Sequence, residues 1–382
     1  MSSLARHTFF AVCAPGTEAI LHAEMKALRL SKVERQVGGV RFEGTIRDAW
    51  RANLHLRTAV RVLLRLARFQ APDEAALYRG VQDIDWRRFV AADATLVVAA
   101  QTRESVLDHS LFVEQHTKDA IVDQFAVRDG MRPSVDKSSP DLSVHVHLWR
   151  DRCTLSVDTS GASLHKRGWR RYQGRAPLSE TLAAAVVLAS EWDGRAPLLD
   201  PFCGSGTLLV EAAMISGRIP PGSFGRQFAF ERFPGHDAQA WAALRDQSVS
   251  EVAEQRKLII CGVDRDVAAV EGARENVAAA GFDGRIEIEQ CDALEMKYKP
   301  GWNATIVTNP PYGERMGNVE AMAELFDSFG GLLRECCGGY TLTLLSGNQD
   351  LTRRLALRAA KTLKVANGAI PCELLRFVVS AR

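Results

Sequence analysis

From Leu182 onward, short apolar runs alternate with helix-length stretches, and few folds accommodate that order. The pattern reads helix, buried strand Leu198 to Asp200, helix Thr207 to Ile215, strand Leu258 to Asp264, helix Val267 to Ala280, then strands Ile286 to Gln290 and Thr305 to Thr308. Runs that are apolar on both faces and separated by helices predict an α/β domain with a mostly parallel, doubly wound sheet. The tail differs. Strands are expected at Thr341 to Leu345, Leu363 to Val365 and Leu374 to Val379, with a helical stretch at Leu351 to Ala359, and the last two strands can pair as an antiparallel hairpin.

The chain has 382 residues, more than one compact core normally holds. Ahead of the α/β pattern lie two groups of shorter elements. The first has strand-like His7 to Cys13 and Val40 to Glu43 with helix-like Thr17 to Leu28 and Ile46 to Asn53. The second has strand-like Val60 to Phe69, Thr95 to Ala100, Ser143 to Trp149 and Cys153 to Asp158 around a helix at Leu111 to Val127. Both predict small α+β units. Residues 1–175 hold 27 Lys and Arg against 20 Asp and Glu, whereas residues 176–382 hold 21 against 26. A basic front is suited to a polyanion. At the junction, SGASLHKRGWRRYQGR interleaves Lys166, Arg167, Arg170, Arg171 and Arg175 with His165, Trp169 and Tyr172. Cations neutralise phosphates and aromatic rings stack on bases, so this mixture suits looped or single-stranded RNA as well as a plain solvated linker. Between Gly217 and Lys257 sits an insertion, IPPGSFGRQFAFERFPG and then a helical stretch, of a length that is commonly functional.

The chemistry is expected at the ends of the strands. In LLDPFCGSGTLLVEAA, Asp200 closes a strand, a glycine turn follows, and a helix starts near Thr207, the arrangement with which open α/β sheets hold small ligands. The turn lacks the spacing and lysine of a triphosphate-binding loop, and GSGT is not a dinucleotide fingerprint. After the next strand, Asp264 is placed to accept hydrogen bonds from a ribose diol. Asp292, in QCDALEM, can reach an adenine amino group, with the Ala293 backbone beside it. The fourth strand runs into NPPYGER. An exocyclic base amine is a poor nucleophile because its lone pair is delocalised into the ring. The Asn309 side-chain oxygen and the Pro310 carbonyl can accept its two N–H bonds and localise that pair, while Pro310 and Pro311 stiffen the turn. Tyr312 would stack on a base rotated out of its helix or loop.

LLDPFCGSGT, GVDRD, CDALE and NPPYGER resemble motifs I to IV of the class I S-adenosylmethionine methyltransferases that act on amino nitrogens. SLHKRGWR followed by APLSETLAAA resembles, more narrowly, the bacterial THUMP-containing RNA methyltransferases related to the large-subunit rRNA guanine-N2 enzymes. The resemblance implies a ferredoxin-like domain at residues 1–58, a THUMP RNA-binding domain at 59–159, a basic linker at 160–175 and a Rossmann-like methyltransferase domain at 176–382. It implies that S-adenosylmethionine is held by Pro177, Asp200, Phe202, Gly204, Ser205, Gly206, Thr207, Asp264, Arg265, Asp292, Ala293 and Asn309, with Asn309 to Tyr312 on the target base. It further implies RNA contacts from His165, Lys166, Arg167, Trp169, Arg170 and Arg171. The target it implies is guanine N2 of 23S rRNA, and no single residue separates that from a tRNA guanine.

Other readings stay open on the residues alone. A DNA adenine-N6 methyltransferase uses the same Asn-Pro-Pro-Tyr run, though the basic α+β front speaks for RNA. A non-catalytic RNA-binding assembly factor would keep the fold without the intact turn and run. A cysteine-nucleophile mechanism is disfavoured, since Cys203 sits in the cofactor turn and Tyr312 stands where a thiol would be needed. The eight cysteines are single apart from Cys336 and Cys337, without metal-ligand or disulfide spacing, so reduced thiols and no metal are expected. Nothing approaches the roughly 18 apolar residues of a membrane span, and the sequence reads as cytoplasmic, with no membrane and no obligatory protein partner.

Overall fold

The computed structural model describes residues 5–174, 177–252, 259–311 and 319–380. Arg175, Leu258 and the Tyr312 to Arg315 part of the NPPYGER run, all singled out above, lie outside the described residues.

The front half contains β1 (His7–Cys13), α1 (Glu18–Ala27), β2 (Ser31–Gln36), β3 (Gly39–Gly44), α2 (Ile46–His55), β4 (Ala59–Gln70), α3 (Glu74–Gln82), β5 (Thr95–Arg103), α4 (Ser110–Asp129), β6 (Ser134–Val135), β7 (Leu142–Trp149) and β8 (Arg152–Asp158). Two units were expected, but their strands form one eight-stranded sheet in the order β2-β3-β1-β4-β8-β7-β5-β6. The twelve-residue β4 is their common member. Leu64 pairs with Phe9 on one side and with Val157 on the other. Phe9, Ala11, Val62, Leu64, Val144, Val146 and Leu155 alternate onto one buried face, which packs on helix residues such as Leu21, Met25, Leu77 and Ile121. Helix α2 begins at a capping box in which Thr45 accepts from the Asp48 amide and Asp48 accepts from the Thr45 amide.

The rear half contains α5 (Glu180–Ala189), β9 (Leu198–Asp200), α6 (Thr207–Ser216), α7 (Ala238–Ser250), β10 (Ile260–Asp264), α8 (Val267–Ala279), β11 (Ile286–Gln290), β12 (Thr305–Thr308), α9 (Val319–Cys336), β13 (Thr341–Ser346), α10 (Gln349–Arg354), β14 (Ala359–Asn367) and β15 (Ile370–Val378). The sheet order is β11-β10-β9-β12-β13-β15-β14, with parallel pairing from β11 to β13 and antiparallel pairing of β15 with both β13 and β14. This is the expected α/β architecture with its C-terminal hairpin. Two details differ from expectation. The helix predicted to reach Ala359 ends at Arg354, and Ala359 instead opens β14, which is nine residues long.

The insertion joins the halves. Phe228, Phe230, Phe233 and Trp241 belong to the core of the front sheet, with the Phe230 and Trp241 rings 5.7 and 6.0 Å from Trp50. Its aromatic residues are therefore structural anchors. Beneath it lies a buried charge cluster. Arg167 donates from Nε to Glu211 Oε1 at 3.2 Å and from Nη2 to the Arg57 carbonyl at 2.5 Å. Arg57 in turn donates to the Met214 and Ile219 carbonyls at 3.2 and 2.8 Å. Glu24 of α1 accepts from the Arg57 and Thr58 amides and the Thr58 hydroxyl. Burial pushes the Glu211 carboxyl up and the Arg57 guanidinium down from their ordinary values, opposed by their attraction for one another and, at Glu211, for Arg167.

Phe230→Ala should cost about 3–5 kcal/mol of stability, the range for deleting a buried aromatic ring. Urea unfolding measures it, and a loss below about 1 kcal/mol would show that the insertion is not an anchor.

Candidate functional site

Four parallel strands present their carboxyl ends along one edge of the rear sheet. Gly262 lies opposite Asp200, Asp264 opposite Gln290, and Ile306 opposite Leu199. The chain lays β10 and β11 to one side of β9 and then returns to place β12 on the other. The crevice beyond β9 and β12 is therefore a topological switch point, where such sheets bind ligands.

Asp200 organises the turn that lines it. Its Oδ1 accepts from the Phe202 amide at 3.1 Å and from the Thr308 hydroxyl at 2.8 Å. The strand leading into Asn309 is thereby tied to the glycine turn. Asp264 spans the next gap, accepting from the Gly204 amide at 2.9 Å and the Asp266 amide at 2.9 Å. Gly204 and Gly206 have φ of +51° and +74°, which side chains resist, and a Cβ on Gly204 would meet nothing within 4 Å. The turn is open to an approaching ligand. Helix α6 starts directly after it at Thr207, presenting free N–H groups.

Asp200 is 1% exposed, and its Oδ2 is buried with no hydrogen-bond partner. Burial pushes its carboxyl up to about 7, with the Asp264 charge adding to the effect and the Thr308 and Phe202 hydrogen bonds opposing it. An unpaired buried acceptor is costly, and a cationic or N–H group brought into the crevice would relieve that cost.

Asp292 is half-buried and accepts from the Leu294 amide at 2.9 Å; the Ala293 carbonyl accepts from the Tyr298 hydroxyl at 3.0 Å. Arg265 is exposed and lines, with Leu294, Met322 and Leu325, a cavity of about 370 Å³. Asn309 and Pro311 are half-buried and Pro310 is buried. Pro177 is exposed ahead of the Ser179 cap of α5. Phe202 is half-buried with its ring edge-on to Phe329 at 5.6 Å.

The junction segment is built into the rear half. Trp169 is 1% exposed in the core of the rear domain, and Arg167 is 1% exposed in the charge cluster. Neither ring nor guanidinium is available to RNA, which corrects the expectation for these two. Arg170 turns inward as well, donating to Glu180 Oε1 at 2.7 Å, the Leu178 carbonyl at 3.0 Å, Ser205 Oγ at 3.2 Å and Thr207 Oγ1 at 3.0 Å. It braces the glycine turn. Lys166 and Arg171 are exposed, and His165 is half-buried against Ser163. Asn276, absent from the expectations, clamps the segment to the turn by accepting from the Arg171 and Tyr172 amides and donating to the Tyr172 and Ser205 carbonyls. An asparagine on the apolar face of helix VAAVEGARENVAA was the sign of it, as was Thr308 at the end of a buried strand.

The chain matches three family models: an RMKL-like methyltransferase domain over residues 167–376, an RlmL ferredoxin-like domain over 8–63, and a THUMP domain over 71–158. It is 38% identical over 381 residues to the ribosomal RNA large subunit methyltransferase K/L of Syntrophotalea carbinolica, covering 97% of this chain and 53% of that one. The chain thus spans about half the length of the curated relatives it matches. Among solved structures, one described as a candidate methyltransferase complexed with SAH superposes with a TM-score of 0.90 at 30% identity, covering 99% of both chains. Another, from Listeria monocytogenes and named by prediction as an N6-adenine-specific DNA methylase, gives 0.88 at 30% identity over 98% of this chain and 97% of that one.

The raised Asp200 carboxyl sets a pH dependence. A carboxyl that is harder to ionise when folded contributes most below its unfolded value near 3.8 and loses that contribution as pH rises through about 7. Asp200→Asn should therefore gain stability relative to the parent across that window, read by urea unfolding without ligand; a pH-independent difference would show that Asp200 ionises normally.

Proposed function

The chain belongs to the RMKL-like methyltransferase family, and we propose on that premise that it transfers a methyl group from S-adenosylmethionine to guanine N2 of 23S rRNA, in the cytoplasm. The observation that carries the reading is the Thr308 to Asp200 hydrogen bond, which joins the glycine turn to the Asn-Pro-Pro run at the switch point. S-adenosylmethionine supplies an electrophilic methyl group on a sulfonium. The residues present fit it. The orphaned Asp200 Oδ2 suits the ammonium of its methionine part, the open backbone at Gly204 admits close approach, and Asp264 retains lone pairs for the ribose diol. Asp292 and the Ala293 backbone take the adenine edge. On the acceptor side, the Asn309 side-chain oxygen and the Pro310 carbonyl take the two N–H bonds of the base amine. Positioning of two reactants carries most of the acceleration, without a base of tuned pKa.

Residues 1–58 and 59–159 bring the RNA, and residues from 176 onward perform the transfer. The names of the full-length relatives support ribosomal RNA over transfer RNA. The Listeria likeness favours a second reading, methylation of adenine N6 in DNA, which uses the same Asn-Pro-Pro run. Against it stand the THUMP match and the basic front. Incubating the chain and methyl-labelled cofactor with 23S rRNA from a strain lacking the gene, then with duplex DNA, separates the two. Label in N2-methylguanosine is expected, and label only in N6-methyladenine of DNA would overturn the proposal.

Asp264→Ala should weaken cofactor binding strongly in calorimetry, because the diol loses its acceptor. Unchanged affinity would remove Asp264 from the site.

Asn309→Ala should lower turnover by about 100-fold or more while cofactor affinity changes far less, by analogy with deleting one preorganised hydrogen-bonding group. Tyr312→Phe should be mild and Tyr312→Ala severe, by about 1–3 kcal/mol if the ring is a stacking platform. Equal damage from both tyrosine variants would assign the role to the hydroxyl.

A further inference from the structure

The eight-stranded front sheet packs one face on helices, and its other face is open over β5, the end of β7 and the end of β4, though Ser156 and Asp158 of β8 are buried there too. Its buried face meets the helices and the insertion, whereas the side chains that alternate away from it are half-buried or exposed over much of β4, β5 and β7. On that open face three successive cross-strand rows run over β4, β8, β7 and β5. They are Arg65, Ser156, His145, Ala99; then Arg68, Thr154, His147, Gln101; then Gln70, Arg152, Trp149, Arg103. Four of these twelve positions are arginine and none is acidic.

The cations are poorly compensated. Arg68 and Arg152 are exposed and have no hydrogen-bond or ion-pair partner among the described residues. Arg65 lies 4.6 Å over the Phe10 ring and donates to Gln36, an uncharged partner. Burial, with Arg68 and Arg41 nearby, pulls its guanidinium down to about 10, only partly offset by Glu34. Arg103 meets Glu104 at 3.4 Å at the rim and is 79% exposed. Burial lowers the His147 imidazole, and Arg65 and Arg68 lower it further; burial and Arg61 lower that of His145, which Asp158 opposes. Of the two, His147 is exposed, whereas His145 has its Nε2 buried. Trp149 is 46% exposed, with the Arg150 guanidinium 4.9 Å from its ring.

We propose that this open face is a platform for a single-stranded RNA segment, with phosphates on Arg65, Arg68, Arg152 and Arg103 and an unstacked base on Trp149. The inference rests on the reading of the chain as an RNA methyltransferase and deepens it by naming a substrate-holding surface. A broad sheet is too wide for the groove of an undeformed duplex, but it can present rings and cations to splayed bases and their backbone. Neighbouring strands about 4.8 Å apart spread the four charges over a surface that several nucleotides can cross.

The test uses the full chain, a short fluorescent oligouridylate and anisotropy titrations over a range of salt. Arg68→Gln with Arg152→Gln should weaken binding about tenfold or more and reduce the slope of log affinity against log salt by about 1.4, two phosphate contacts being lost. Trp149→Ala should weaken binding about fivefold or more with the slope unchanged. Arg68→Lys with Arg152→Lys should restore the slope, and thermal unfolding checks that each variant folds. Parental affinity and slope in the glutamine variant would overturn the platform, as would equal displacement by polyglutamate, which would make the occupant an acidic peptide. Methylation of 23S rRNA is read in parallel. If the parent methylates it while the glutamine variant binds normally, only the platform falls; if the parent neither methylates nor binds RNA, both fall. Binding lost in the variant with no methylation by the parent leaves the platform and removes the assigned reaction.

Discussion

A guanidinium removed from water needs its donors satisfied and its charge met, and Arg167, 1% exposed, has both through elements far apart in the chain. Its partners are Glu211 on α6 and the backbone carbonyls of Leu164 and Arg57. A buried pair of this kind gains little net stability over apolar residues, but it is strongly destabilising to break, because one charge is then stranded. Its value here lies in geometry. The cluster ties residues of both halves to one another, and the aromatic insertion adds a second tie by packing on Trp50. The same short segment then carries Arg170 to the glycine turn. What holds the front half in place thus also braces the glycine turn.

At the other end of that chain of contacts the rear sheet leaves an acceptor unpaired beside the glycine turn. Glu24 has both carboxylate oxygens occupied, whereas Glu211 Oε2, beside the Arg167 and Arg57 guanidiniums, is buried without a hydrogen-bond partner. Asp200 keeps one oxygen buried and idle next to a turn whose backbone is exposed to the crevice. The stored cost is small on the scale of the whole fold, and a cationic or N–H group brought to that point would offset it.

Much of this was legible from residue patterns, and the failures have identifiable causes. The rear sheet was readable because parallel strands buried on both faces leave uninterrupted apolar runs. Strand β2 was not, since SKVERQ is an edge strand with no buried residue and hence no alternation. Helix α9 was passed over although Met322, Phe326, Phe329 and Leu333 recur at helical spacing, and all four are buried. In the site, Asp200 and Asp264 could be named in advance because each follows an apolar run, and Asp292 because it follows the alternating strand IEIEQ. The inward course of Arg167 and Arg170 could not, because composition assigns a cation-rich stretch to solvent or to a polyanion, and only tertiary structure supplies Glu211 and Glu180 as partners. The fusion of two α+β units into one sheet escaped for a related reason: nothing in β4 says how many neighbours it will have.

That shared strand has a consequence for the order in which the protein comes into being. On a ribosome, β1 to β4 emerge before β8 and can pair among themselves, yet the outer edge of β4 has no neighbour until β8 begins at Arg152, about 80 residues later. At ordinary rates of synthesis that interval is roughly 4–16 seconds. Throughout it, a twelve-residue strand presents unpaired amides and carbonyls to whatever else is nearby, a template for joining other chains. The arginines along β4 act in that interval as a guard, since mutual repulsion between two such edges discourages nascent copies from pairing before the proper neighbour arrives.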